Sequence, residues 1–419
     1  MFQQRAVRKV LGAAVTCVFA GVALAGCTTV KSAQGGADDS VGVDTKTKTI
    51  TIGTSAPKTG SQVSFYENVQ AAQAALGAVN AAGGVNGWKI KYTVLDDAYN
   101  PSTALSNVRE LVEQDKVFAI VTSVGTPTVS AELPYLANTD VPDIGIIAEA
   151  GLLSGKYSSA PNIFSVVPAY GRVSAFIVDY LASQKHVNKI SLMYQDDQSG
   201  AAVVPGVTAE ARKKGVTVAA SAAVPDTATD FSGYAAKLKA GGAPEVVAWG
   251  PPPMVAGVMN ASAAIGYKPH WLAPFFVPGS AFFKLVGPLA NNMEFESWFT
   301  PLTSDSPGVK AFLAAMKKYT TDPSPSTTAE GGWISMYEFV YGLEAATKGG
   351  KVPTRSALVA ALNTGKAFEP GNVGASFSYT TQQRIPSSVD SILTYKNGSL
   401  VTTYGPRPDP TDLSKSDIR

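Results

Sequence analysis

Histidine and cysteine are almost missing from this chain of 419 residues, which has two of each. With only His186 and His270 available, a metal centre or a nucleophile–histidine pair has almost nothing to draw on. The cysteines are Cys17 and Cys27, both near the N-terminus, so the body of the chain has neither a disulfide nor a reactive thiol. Its stability must come from buried area, which this length supplies. An excess of charge is missing too: there are 34 basic and 32 acidic residues, and charged residues make up 16% of the chain. Arg5, Arg8 and Lys9 precede Cys27, which leaves 31 basic residues against 32 acidic from there on. A nucleic-acid partner, which needs a basic footprint, is not expected. The sequence has no G-x-S-x-G, H-E-x-x-H, Walker A or G-x-G-x-x-G pattern, so no cofactor is expected and any ATP hydrolysis would fall to another chain. Asp96-Asp97 and Asp196-Asp197 are the only paired carboxylates at strand ends, and stabilising their turns explains them better than acid–base work.

What is present begins with a leader. Arg5, Arg8 and Lys9 form a charged region, and residues 10–23 form an apolar run too short to span a bilayer. Leu24-Ala25-Gly26-Cys27 follows and resembles the lipobox of bacterial lipoproteins, in which the cysteine is acylated and becomes the mature N-terminus. An ordinary signal peptide with an incidental cysteine, or a short anchor, is the alternative. Residues 1–26 are thus expected to be a lipoprotein signal peptide, with Cys27 the lipid attachment site and 27–47 a small, polar, aperiodic tether.

The rest is organised around residues 117–131. Val117-Phe118-Ala119-Ile120-Val121 is an unbroken apolar run of strand length, suited to a parallel strand buried on both faces. Thr122-Ser123-Val124-Gly125 turns the chain, Thr126 stands where an N-cap would, and Pro127 follows at a first helical position. Ser123, Gly125, Thr126 and Thr128 then gather hydroxyls and free backbone N–H groups at one strand end, a seat for an anionic group. Thr-Pro after a strand is also how any βα unit caps its helix.

Strand and helix patterns alternate on both sides of this turn. Residues 48–53 and 88–95 read as strands, 65–82 as an Ala-rich helix stopped by Gly83-Gly84, and 141–147 as a further strand. The same alternation recurs from residue 171 onward, with strands at 189–194, 216–224 and 245–249. Arg212-Lys213-Lys214 suits a helix C-terminus. Asn397-Gly398 marks a hairpin over 392–404. The expected fold class is α/β, two doubly wound parallel-sheet lobes.

A resemblance then attaches to particular residues. Ile52-Gly53-Thr54-Ser55-Ala56-Pro57-Lys58-Thr59-Gly60, Val79-Asn80-Ala81-Ala82-Gly83-Gly84-Val85-Asn86-Gly87, Asp96-Asp97 with Asn100-Pro101, Gly125-Thr126-Pro127-Thr128, and Val141-Pro142 occur in this order. Together they resemble the branched-chain amino acid (leucine/isoleucine/valine) binding proteins of ABC transporters, over residues 48–405. The resemblance implies a type I periplasmic-binding fold with a three-segment hinge. It places lobe 1 at 48–166 and 276–375, lobe 2 at 167–275 and 376–405, and a tail at 406–419. The first crossing falls at 164–170 and the second at 271–277, with 294–299 returning to the first lobe's sheet.

The cleft between the lobes is expected to be lined by strand-end turns at 55–61, 123–128, 147–151, 194–200, 249–250 and 273–276. By resemblance, Thr126, Thr128 and the backbone at Ala148 would hold a ligand carboxylate. Glu149, where relatives have Ser or Thr, would repel one unless it faces away or holds an ammonium group. Tyr170, Tyr194, Trp249, Phe275 and Phe276 would contribute from the second lobe, and Ser199 replaces an aromatic usual in the family. The implied function is the solute-binding component of an ABC importer, monomeric and lipid-anchored on the extracytoplasmic face, not an enzyme. Its partners would be a small, partly apolar solute (a hydrophobic amino acid or a related amide or carboxylate), a membrane permease and an ATPase. A small-ligand sensor of the same fold is the alternative, and an exported enzyme a more distant one.

Overall fold

The computed structural model describes residues 37–408, apart from 155–156, 322–324, 375, 382 and 387–388. The leader and Cys27 lie outside the described residues. The first sheet holds β1 (Val43–Asp44), β2 (Thr49–Ala56), β3 (Lys89–Asp96), β4 (Ile120–Val121), β5 (Asp143–Ile146) and β6 (Ile163–Ser165). Its parallel order is β3-β2-β4-β5-β6, with β1 antiparallel on β2. The second sheet holds β7 (Lys189–Gln195), β8 (Thr217–Val224), β9 (Glu245–Trp249), β10 (His270–Ala273), β11 (Glu294–Ser297), β12 (Val389–Lys396) and β13 (Ser399–Pro408). There β8-β7-β9-β10-β11 run parallel, and the hairpin β12-β13 closes the edge antiparallel.

Eleven named helices cover these sheets. In the first lobe α1 (Tyr66–Ala81), α2 (Pro101–Glu113) and α3 (Thr126–Leu136) follow their strands. The second lobe has α4 (Tyr170–Ser183), α5 (Gln198–Lys214), α6 (Ser232–Gly241), α7 (Pro252–Ala264) and α8 (Ser280–Val286). Next come α9 (Pro307–Tyr319), α10 (Ala329–Ala346) and α11 (Arg355–Leu362); α9 and α10 pack on α1, and α11 packs on α10. No helix among the described residues is long and apolar enough to cross a membrane.

Local chemistry explains the boundaries. Asn100 caps α2, its side chain accepting from Ser102 and Thr103 N–H, with Pro101 in the first turn. Asp197 caps α5 in the same way through Ser199 and Gly200 N–H. Lys214 ends α5 and Gly215 follows at φ 70°, a left-handed C-cap, with the three basic residues in the last turn. Both Asp-Asp pairs are turn residues: Asp96 accepts from Lys58, Thr59 and Ala98 N–H, and Asp97 from Tyr99 N–H and the Ser55 hydroxyl.

Two sequence expectations are corrected. Residues 271–277 are not a crossing between lobes, because Trp271, Leu272 and Ala273 lie inside β10, hydrogen-bonded to β9 and β11. Residues 294–297 do not return to the first sheet: they form β11, between β10 and β12 of the second. All four residues of β11 are buried. Glu294 is tolerated there because the Tyr180 hydroxyl donates to it at 2.9 Å and Lys185 Nζ sits at 3.0 Å. The chain leaves this sheet after Ser297, where Phe299 bridges to Gly374, and β12 brings it back.

Candidate functional site

Both parallel sheets aim their C-terminal strand ends at one enclosed space. From the first lobe come Val124, Gly125 and Thr126 after β4, Ile147 after β5, and Tyr99 after β3. From the second come Tyr170 at the start of α4, Gln195 and Ser199 around the β7 turn, and Phe275 and Phe276 after β10. Phe65 and Asn68 at the start of α1, Phe299, and Thr328 and Gly331 at the start of α10 complete the wall. The free space enclosed is about 30 Å³, room for one or two waters. Phe65, Phe276 and Thr328 also wall a neighbouring space of about 210 Å³.

The turn at Gly125 is built differently from its sequence reading. Gly125 is itself the N-cap, at φ 102°, and Thr126 is the first helical residue, so no side chain caps α3. A side chain at Gly125 would collide with the Tyr99 ring at 2.5 Å, so glycine is required both by conformation and by space. The Thr126 hydroxyl instead accepts from Glu149 N–H at 3.1 Å, tying the β4 and β5 turns together.

Six predicted contacts are not on the wall, Glu149 among them. The Ser123 hydroxyl donates to Asp143 Oδ1 at 2.8 Å, beneath the turn. The Thr128 hydroxyl donates to the carbonyls of Val124 and Gly125, at 2.7 and 2.9 Å, within its own helix turn. Ala148 is fully buried among Val129, Leu133 and Ile146. Tyr194 precedes the wall residue Gln195 on a strand whose side chains alternate, so it points to the other face. Trp249 stands one layer back: its ring packs 4.8 Å from Tyr170 and 5.5 Å from Phe276, and its Nε1 donates to the Ser199 hydroxyl at 3.3 Å.

Glu149 is buried and turned away from the space. Its Oε1 accepts from Gly151 N–H at 2.5 Å, and its Oε2 accepts from Tyr170 N–H, the first amide of α4, at 2.7 Å. Burial pushes its carboxyl up to about 7, although both backbone donors favour the charged form. The carboxylate is therefore a cap linking the β5 turn to α4.

Other bonds hold the two sides together. The Gln195 Nε2 donates to Asp197 and Asp226, both at 2.8 Å, and Gln62 from the first lobe reaches Asp226 at 3.3 Å. Burial, with Asp226 and Asp196 nearby, pushes Asp197 up to about 6. Thr327 and Thr328 hydroxyls donate to the carbonyls of Phe275 and Phe276 at 2.9 and 3.0 Å. Among the described residues no cluster of histidine, cysteine and carboxylates is arranged to hold a metal. An enclosed, aromatic-walled space at paired strand ends, with a few polar groups, is a place to bind a small molecule.

Sequence reasoning missed Phe65, Asn68, Tyr99, Phe299, Thr328 and Gly331. Tyr99 carried one local signal, the Asp96-Asp97 turn before it, which puts it at φ 64°.

Comparison with known proteins agrees with this architecture. Residues 49–389 match the Periplasmic binding protein family. The chain is 28% identical over 211 residues to an amino acid binding protein of Pseudomonas aeruginosa, covering 48% of this chain and 53%, about half, of that one. It is 24% identical over 359 residues to the Leu/Ile/Val-binding protein homolog 3 of Brucella melitensis, covering 84% and 93%. Two solved structures share the fold at TM-score 0.77: a branched-chain amino acid ABC transporter protein of Thermus thermophilus with bound valine (20% identity, 88% and 97% covered) and a solute-binding protein of R. palustris with benzoate (18%, 87% and 98%). The chain belongs to the periplasmic binding protein family and has the fold of its type I members.

Proposed function

We propose that this protein is the extracytoplasmic solute-binding component of an ABC importer, capturing a small, partly apolar solute between its lobes and presenting it to a membrane permease. The observation that carries this reading is the enclosed space itself, walled by aromatic rings and a few polar groups from the strand ends of both sheets. The space holds a water or two as the lobes stand, so a solute enters with the lobes apart and is sealed in when they close. Relatives and fold neighbours named for leucine, isoleucine and valine, for benzoate and for fatty acids all bind solutes with a large apolar part, which fits a partly apolar solute here. Membrane attachment through Cys27 fits this role. Cys27→Ser should release the protein from the membrane fraction; a variant still held there would rule out the lipid anchor.

Thermal unfolding of the purified protein against amino acids, amides and carboxylates tests the reading. A solute at about 100 times its dissociation constant should add about 2.7 kcal/mol, raising Tm by a few degrees. No shift with any small solute would overturn it.

A further inference from the structure

The wall carries no carboxylate, lysine, arginine or histidine. Three acids behind the wall are engaged: both oxygens of Glu149 accept backbone N–H groups, while Asp197 and Asp226 stand behind Gln195, whose amide nitrogen donates to both, and burial pushes Glu330, next to Gly331, well above the usual carboxyl range. A solute ammonium group would meet no carboxylate in contact and would be buried unpaired. A solute carboxylate would be buried near three acids with no cation. The uncapped end of α3 offers it only about half a charge.

The walls favour a flat ring. Phe276 stands edge-on to Phe65 at 6.1 Å and to Phe275 at 5.1 Å, and Phe275 stands edge-on to Phe299 at 5.6 Å, the geometry by which aromatic rings pack around one another.

One polar group in this wall is incomplete. Asn68 is fully buried, and its Nδ2 donates to the Phe65 carbonyl at 3.1 Å, which fixes which end of the amide is oxygen. Its Oδ1 accepts no hydrogen bond among the described residues. Gly331 leaves the corner in front of it open: a Cβ there would stand 3.0 Å from Oδ1, 3.4 Å from Ile147 Cδ1 and 3.7 Å from Phe299 Cζ. A buried amide oxygen without a donor is costly, and an O–H or N–H on the solute would complete it.

We infer that the cleft takes an uncharged aromatic solute carrying a hydroxyl or amide donor, seated with that donor on Asn68 Oδ1 in the corner that Gly331 leaves open. The inference rests on the solute-binding reading and narrows it to a class of solute.

Calorimetric titration of the full protein with benzamide, benzyl alcohol, methyl benzoate, benzoate and phenylalanine tests it. Benzamide or benzyl alcohol should bind, with methyl benzoate (similar in shape, without a donor), benzoate and phenylalanine about tenfold weaker or more. Asn68→Leu should weaken benzamide about tenfold and leave methyl benzoate unchanged. Should Asn68→Leu fail to fold, Gly331→Ala, which closes the corner, should weaken benzamide by a similar factor while still unfolding in one cooperative transition. Tighter binding of benzoate or phenylalanine would overturn this inference and leave the importer reading standing. Undiminished benzamide binding by a folded Asn68→Leu would overturn the seat. Silence from all five probes would overturn the solute class, and the broader panel above would then decide the importer reading separately.

Discussion

Gly332→Ala will destabilise the protein by about 3 kcal/mol or more, although alanine is the better helix former by about 0.5–1 kcal/mol. Gly332 lies inside α10 where α10 crosses α1, and a Cβ there would sit 1.7 Å from the Asn68 carbonyl oxygen and 2.4 Å from its carbon. Neither atom belongs to a side chain that could rotate away, so the helices must separate. Separation would displace Asn68 and Gly331 together, and both line the cleft. Solute binding should therefore weaken along with stability. Gly233→Ala is the control: Gly233 lies in α6 with nothing within 4 Å of its Cβ position, so this change should be neutral or slightly stabilising. Urea unfolding of the two variants checks the pair. Equal midpoints would mean that α1 and α10 are not in backbone contact at this crossing.

The sequence reading succeeded where chemistry is local and failed where it depends on which way a side chain turns. The strand at 189–194, the Gly83-Gly84 stop and the basic helix end at 212–214 form as read, because each acts on residues within one turn. The strand-end turns were also legible, and Gly125, Thr126, Tyr170 and Phe275 do lie on the wall. Ser123 and Thr128 have the right chemistry in the right turn, but a carboxylate below and two carbonyls alongside take their hydroxyls. The wall residues from α1 and α10 were invisible for another reason. Asn68 stands in an Ala-rich helix whose packing partner lies more than 250 positions away in sequence. Only the crossing at Gly332 turns Asn68 into a wall residue. Strand β11 was misplaced because nothing within its own residues says which sheet it joins; its pairing with β10 and β12 decides that, and Tyr180 and Lys185 make Glu294 acceptable in the interior.

Stability should fall as the pH rises from about 5 to 8, the reverse of a protein held by exposed ion pairs. Three buried carboxyls and one half-buried one decide the sign. Burial pushes Asp143 and Glu149 up to about 7, Asp197 to about 6 and Glu338 to about 8. In the unfolded chain each would titrate near 4. Between these values the folded state holds more protons than the unfolded one, so raising the pH draws the equilibrium toward unfolding. The contribution is fully present below about pH 4 and is lost through the folded values, on the order of 3 to 5 kcal/mol for a carboxyl raised to about 7 or 8. His270 adds to the same slope. Burial works against its charged form, but Glu245 at 2.7 Å outweighs it and the net shift is upward. Glu149→Gln and Asp143→Asn separate the contributions, since each removes one titrating group and should flatten the unfolding profile between about pH 5 and 7.5. The two groups lie under different parts of the cleft, Glu149 at the start of α4 and Asp143 beneath Ser123. A slope unchanged in both variants would place the proton uptake outside the cleft floor. A slope lost mainly in Glu149→Gln would mean that burial of this carboxyl, which disfavours its charge, outweighs the two backbone donors that favour it.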